Sequence, residues 1–278
     1  MKALESWWRA TFADPLAEAD ARMRANLATS QRGLFDFRTA VVLLSTTFFL
    51  ALHWYANSPV NWLRAVGFAE PILGADRVLD WSYALRRWDA DRSVSLAWWA
   101  TSAVTFYFLL PALTVKLVLK ENLRDYGLSL KTAFVGWTTY AFMAVCMAPI
   151  VWMVSYDSAF LKKYPFFPLA PGEPIPAAFF RWELHYAAQF LALEFLFRGY
   201  MVHGLKHRFG AAAIMMMTLP YCMIHFGKPL LETMASIGAG LILGGLSLKT
   251  RSIWLGAALH VYVAWLMDAL ALYRKGFL

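Results

Sequence analysis

Cysteine is almost missing from this chain. Cys146 and Cys222 are the only two, and both fall in apolar stretches, so neither a disulfide framework nor a Cys-type metal site is expected. The His-Glu-x-x-His zinc signature is absent as well. Charge is scarce: Asp, Glu, Lys and Arg make up 16% of the 278 residues, against roughly 25% in soluble domains. Acids are the scarcer sign, 18 against 26 basic residues, which leaves a formal net charge of +8. No internal repeat is visible, which counts against the common transporter plans built from paired halves. The first 30 residues hold several charges and no apolar h-region, so no secretory signal peptide is expected.

What fills the chain instead is apolar. Hydrophobic residues make up 60% and aromatics 17%, and the mean hydropathy is +0.47. This predicts an all-α integral membrane protein, a polytopic transmembrane helical bundle of about seven to eight spans. Trp and Tyr gather near segment ends, as interfacial belts do. Spans are predicted near 37–56, 94–118, 132–156, 180–204, 210–227, 230–247 and 252–273. Residues 57–93, with Pro59, Pro71, Gly74 and a basic amphipathic stretch from Arg77 to Arg87, read as interfacial or partly re-entrant; a crossing there would make eight spans. Pro165, Pro168, Pro171, Pro174 and Pro176 prevent the link after the third span from being helical throughout.

Three regions follow: 1–33, 34–131 and 132–278. The first reads as an N-terminal amphipathic interfacial helix in contact with the lipid bilayer, anionic lipid above all; a helical cap outside the membrane is the alternative. The second holds the N-terminal spans and the amphipathic loop, and the third the helical core. The basic links Lys206-His-Arg208 and Lys249-Thr-Arg251 and the basic loop from Lys120 to Gly127 set topology. By the positive-inside rule they place the N-terminus in the cytoplasm, with a bacterial inner membrane as the expected location. The positive charge is thereby accounted for, and no nucleic-acid partner is expected. Gly240 and Gly244, four apart, allow close helix approach, either inside the bundle or along a homodimer seam.

Ionisable groups inside such spans are costly, roughly 2.5–3.5 kcal/mol each, and mark function by default. Glu194 and Arg198 lie four apart on one helix face, in reach of each other; a purely structural ion pair is the alternative. If the chain folds back near residues 209–210, Glu194 and His225 each lie about 15 residues from the turn, roughly 23 Å along their helices, at one depth. His260 sits on the last span and Asp268 two turns beyond it; Asp268 reads equally as an interfacial residue near the span's end. Glu232, just after Pro229, reads as an acid meeting a helix N-terminus. A carboxylate with a nearby imidazole can take a proton from water, and a second imidazole can donate to an oxyanion. Catalytic candidates are therefore Glu194, His225, His260, Arg198 and Asp268. Glu194, His225 and His260 are also candidate ligands for a divalent metal such as zinc. The chemistry would be peptide hydrolysis, with a membrane-anchored protein or peptide as substrate and partner.

The residues Leu193-Glu194-Phe-Leu-Phe-Arg198-Gly199, Tyr221-Cys-Met-Ile-His225 and His260-Val-Tyr-Val-Ala264 resemble the CAAX protease and bacteriocin-processing (Abi) family of intramembrane endopeptidases. The resemblance covers about residues 120–273. The family order is Glu-Glu-x-x-x-Arg, Phe-x-x-x-His and His-x-x-x-Asn, which implies that Glu194, Arg198, His225 and His260 carry over. Two positions depart: the first Glu, the general base in the family's prenyl-protein endoproteases, is Leu193, and the Asn is Ala264. The resemblance thus implies either an endopeptidase in which Glu194 takes over as base, or an inactive relative acting as an immunity or sorting accessory. An ion-coupled transporter is the third reading.

Overall fold

The computed structural model describes residues 2–29, 36–57, 59–90, 92–170 and 172–278, and every regular element among them is helical. The α1 (Lys2–Trp8) and α2 (Asp14–Thr29) helices are joined by a π-helical turn at Arg9–Ala13. The first long apolar helix is α3 (Phe37–Ala56), followed by α4 (Pro59–Phe68), α5 (Glu70–Leu73) and α6 (Ala75–Ala90). The next pass comprises α7 (Arg92–Val104), a π turn at Thr105–Leu109, α8 (Leu110–Leu113) and a π turn at Thr114–Val118. The wide turns flank Pro111, which has no N–H to give to the ladder. Then come α9 (Trp137–Val154), α10 (Ser158–Lys163) and α11 (Ala177–Glu194). α11 runs on through a π-helical stretch, Phe195–Val202, into α12 (His203–Phe209). The chain ends with α13 (Ala212–Met223), α14 (Leu230–Thr250) and α15 (Trp254–Arg274).

Five helices among the described residues are long and apolar enough to cross a membrane: Phe37–Ala56, Ser93–Val118, Trp137–Val154, Leu230–Thr250 and Trp254–Arg274. The continuous helix of residues 177–209 and the shorter apolar α13 lie where the other two passes are predicted. Among the described residues of 57–93 no helix is long and apolar enough to cross a membrane. α4 has only 10 residues, and α6, with 16, carries Asp76, Arg77, Asp80, Arg86 and Arg87; the two pack against each other.

The helix of residues 177–209 is the axis of the bundle. Its residues 192–205 are buried without interruption, the polar Glu194, Arg198 and His203 among them. α3 and the second pass pack on it from one side: Ser45 Oγ lies 2.7 Å from Tyr200 OH, and the Phe108 and Phe195 rings are 4.8 Å apart. One core therefore runs across the 131/132 boundary. α13 and α14 pack on the other side, with Gly240 against Thr218 and Gly244 against Ile214 and Met217. The small-residue stripe is thus used inside the bundle.

The N-terminal helices lie across the ends of α12 and α14. Phe12 is buried with Tyr140, Leu243, Leu246 and Leu259. Asp20 Oδ1 accepts a 2.7 Å hydrogen bond from the Ala211 amide, and Lys249 Nζ donates to Thr11 Oγ1 at 3.3 Å. Met1 and residues 30–33 of the predicted interfacial segment lie outside the described residues, as does Pro171 of the proline-rich link. Within that link α10 is a short helix, and Pro176, in an extended conformation, opens α11.

Candidate active site

Glu194 is the last residue of α11, where the helix widens into the π stretch. Wide turns of this kind occur often at functional sites. Arg198 lies inside the wide stretch, and its Nη1 is 3.0 Å from Glu194 Oε1; the side chains are 0% and 1% exposed. The same oxygen lies 2.8 Å from His260 Nδ1 on α15. A carboxylate there makes Nδ1 the protonated nitrogen and leaves Nε2 as an acceptor. His260 Nε2 is 3.0 Å from the Tyr221 hydroxyl on α13, and the imidazole stacks on Phe190. The Arg198 guanidinium carbon lies 3.8 Å from the Tyr221 ring centroid, a cation–π contact that keeps the charge against the site. Arg198 Nη2 also donates to the Ala239 carbonyl at 3.3 Å.

His225 stands just beyond α13. Its Nδ1 donates to the Tyr221 carbonyl at 2.8 Å, and its ring meets the Tyr221 ring edge-on at 4.8 Å. A carbonyl cannot donate, so Nδ1 carries the proton, and Nε2 is the open acceptor with no hydrogen bond to any described residue. Tyr221 therefore stands between the two imidazoles, touching one with its hydroxyl and holding the other with its backbone.

Residues 177–266, which contain all five of these side chains, match the sequence profile of a family described as Type II CAAX prenyl endopeptidase Rce1-like. Over these residues the chain is similar to that family. No curated protein and no solved structure matches the chain. Its apolar helices make the protein an integral membrane protein.

Within the matched region, the two departures from the motif are filled by apolar packing. Leu193 is buried beside the central helix's other apolar residues, and Ala264 is buried in a cluster with Trp182, Tyr186 and Leu272. Asp268, just past the matched region, is buried but makes no hydrogen bond to Glu194 or His260. It faces Glu183 instead. Glu232 does lie in the first turn of α14, where it accepts hydrogen bonds from Lys228 (2.7 Å) and the Tyr164 hydroxyl (2.9 Å).

Glu194, His225 and His260 as placed do not make a metal-ligand set. Glu194 Oε1 already faces a guanidinium, and the two nitrogens of His260 face Glu194 and Tyr221. No group of three or more His, Cys, Asp or Glu side chains suited to a metal ion occurs among the described residues.

Two site residues are silent in the sequence. Tyr221 occupies a Phe position of the motif, where an added hydroxyl passes for a minor change. Gly256 lies one turn before His260, and a Cβ there would come within 2.7 Å of Glu194 Oε2. The other carboxylate oxygen is pinned by Arg198 and His260, so Glu194 has little room to yield. Gly256→Ala is expected to keep the fold and lower turnover by about a hundredfold, the scale of a 1 Å misplacement. Circular dichroism together with a peptide-cleavage assay checks both parts.

Proposed function

We propose that the protein is an intramembrane endopeptidase that hydrolyses a peptide bond in a membrane-anchored protein or peptide. The observation that carries this reading is the series Arg198–Glu194–His260–Tyr221–His225 on four elements, with hydrogen-bond polarity fixed at both imidazoles. His225 Nε2 takes a proton from water as the water attacks the scissile carbonyl, and later returns it to the leaving amine. The Tyr221 hydroxyl can redirect its proton from His260 to the oxyanion, and the Arg198 charge behind the ring favours that negative charge. Glu194 is then not the water's base. It orients His260 and neutralises Arg198, a role that suits a carboxylate with 1% exposure. We place the N-terminus and the basic links in the cytoplasm of a bacterial inner membrane, on the strength of the positive-inside rule.

The test is cleavage of membrane-anchored candidate peptides by the purified protein in detergent. The wild type is expected to cut, and Glu194→Gln and His225→Ala to lose turnover. If both variants cut as well as wild type, the site is wrong. A second reading, a non-enzymatic sorting or immunity accessory, is favoured by the enclosure of Glu194 and by apolar Leu193 and Ala264. Under it, wild type fails on every peptide offered while partner capture still depends on the folded core. The family match leaves the transporter reading without support.

A further inference from the structure

Far from Glu194, the N-terminal helix encloses a second polar space. A recess of about 390 Å³ lies between one face of α2 and the basic ends of α12 and α14, with Arg22, Lys206, Lys249 and Arg251 on its walls. Glu18 is the recess's one acid and is already taken by Arg22. His207 at the rim is held by Asp36 at 2.8 Å. Among the described residues, Lys206, Lys249 and Arg251 have no acidic partner. Lys249 reaches only the Thr11 hydroxyl, and Lys206 Nζ donates to His203 Nδ1 at 2.8 Å, which leaves two of its N–H groups unused. Burial, with the charges of Arg251 and Arg22 adding to it, pushes the Lys206 ammonium down to about 8; Asp125 opposes this and Arg38 reinforces it. Three cations lining one recess repel one another, and among the described residues only the more distant charge of Asp125 offsets this, at Lys206.

We propose that this recess is a binding site for a phosphate-bearing anion. Its place, under an amphipathic helix at the basic end of a membrane bundle, suits the headgroup of an acidic phospholipid, and free phosphate offers the same chemistry. Lys206, Lys249 and Arg251 would supply charge-assisted donors to the phosphate oxygens.

The site has a path to the bundle axis. Lys206 donates to His203 Nδ1, so His203 Nε2 donates to Ser247 Oγ at 3.1 Å, and Ser247 in turn donates to the Arg198 carbonyl at 3.2 Å. All three bonds run in one direction and end on the residue that pairs with Glu194. The anion site is independent of whether the protein cleaves peptides, and binding alone tests it.

The experiment uses the full chain in detergent, first with inorganic phosphate against chloride at equal ionic strength, read as a shift in the thermal midpoint. A second arm exposes the protein to vesicles of phosphatidylcholine or of an equimolar mixture with phosphatidylglycerol, and native mass spectrometry reads the retained lipid. Lys206→Gln with Arg251→Gln should weaken binding at least about tenfold, Lys206→Arg should keep it, and Lys131→Gln, an exposed cation outside the recess, should leave it unchanged. Phosphate binding with that pattern identifies a phosphate site; retention of phosphatidylglycerol alone with that pattern identifies a headgroup site. Binding in neither arm, or binding that survives the double substitution, overturns the proposal. If the double variant does not fold, Lys249→Gln replaces it under the same criteria.

Discussion

His225→Ala is expected to reduce kcat by about 10²–10⁴-fold, the range for loss of a general acid–base, with KM and thermal stability little changed. The reason is geometric. His225 sits past the end of α13, half-exposed, and among the described residues the one hydrogen bond of its side chain is that of Nδ1 to the Tyr221 carbonyl. Removing the ring takes away the open Nε2 and little packing. Tyr221→Phe makes the companion measurement. It deletes one hydroxyl from a ring that is otherwise buried against Phe197 and Arg198, and a lost oxyanion donor costs about 10²–10³-fold in kcat. Steady-state kinetics on one membrane-anchored peptide separates the two. If Tyr221→Phe cuts like wild type, the hydroxyl serves only to hold His260.

Arg198→Leu should destabilise the protein by about 3–5 kcal/mol, the usual result of removing one member of a buried ion pair. Arg198 is fully buried, and its loss strands a Glu194 carboxylate that only His260 still meets. Adding Glu194→Gln to Arg198→Leu should recover a large part of the loss, because no uncompensated charge then remains. Denaturant unfolding in a fixed detergent, arranged as a double-mutant cycle, reads the coupling. Additive losses would mean that the two side chains do not sense each other.

The arrangement of spans was legible because apolar runs of about 20 residues have few readings in a chain this poor in charge. Phe37–Ala56 and the start of α14 fall where the sequence places them. The pairing of Glu194 with Arg198 was equally legible, since four residues is one helical turn. What the depth arithmetic could not give was the order of contacts. Counting from the turn sets Glu194 level with His225, yet Glu194 bonds His260, and His225 is reached through Tyr221. That counting assumed α-helical rise throughout, and the sequence gives no sign of the wide turn at Phe195–Val202. Asp268 misled for a different reason: two turns from His260 is the same face of α15 but further along it, and there Glu183 is its neighbour. Gly256 could not be picked out, because nothing in the sequence shows that the position one turn before His260 meets the Glu194 carboxylate.

The wide stretch at Phe195–Val202 has a consequence for how this helix tolerates changes of length. A π turn holds one residue more than an α turn, so deleting a single residue within it offers the chain an easy return to regular α-helix. That return would leave the two halves of the central helix close to their present phase, because the extra residue is wound into one wide turn. Glu194 lies before the stretch, while His203, buried against Ser247, and the basic link lie after it. Both halves are locked in the same core, so a change of phase between them could not be absorbed. The wide stretch is therefore where the central helix best tolerates losing one residue, and the same deletion in α11 or α12, which would shift the phase by about 100°, would do more damage.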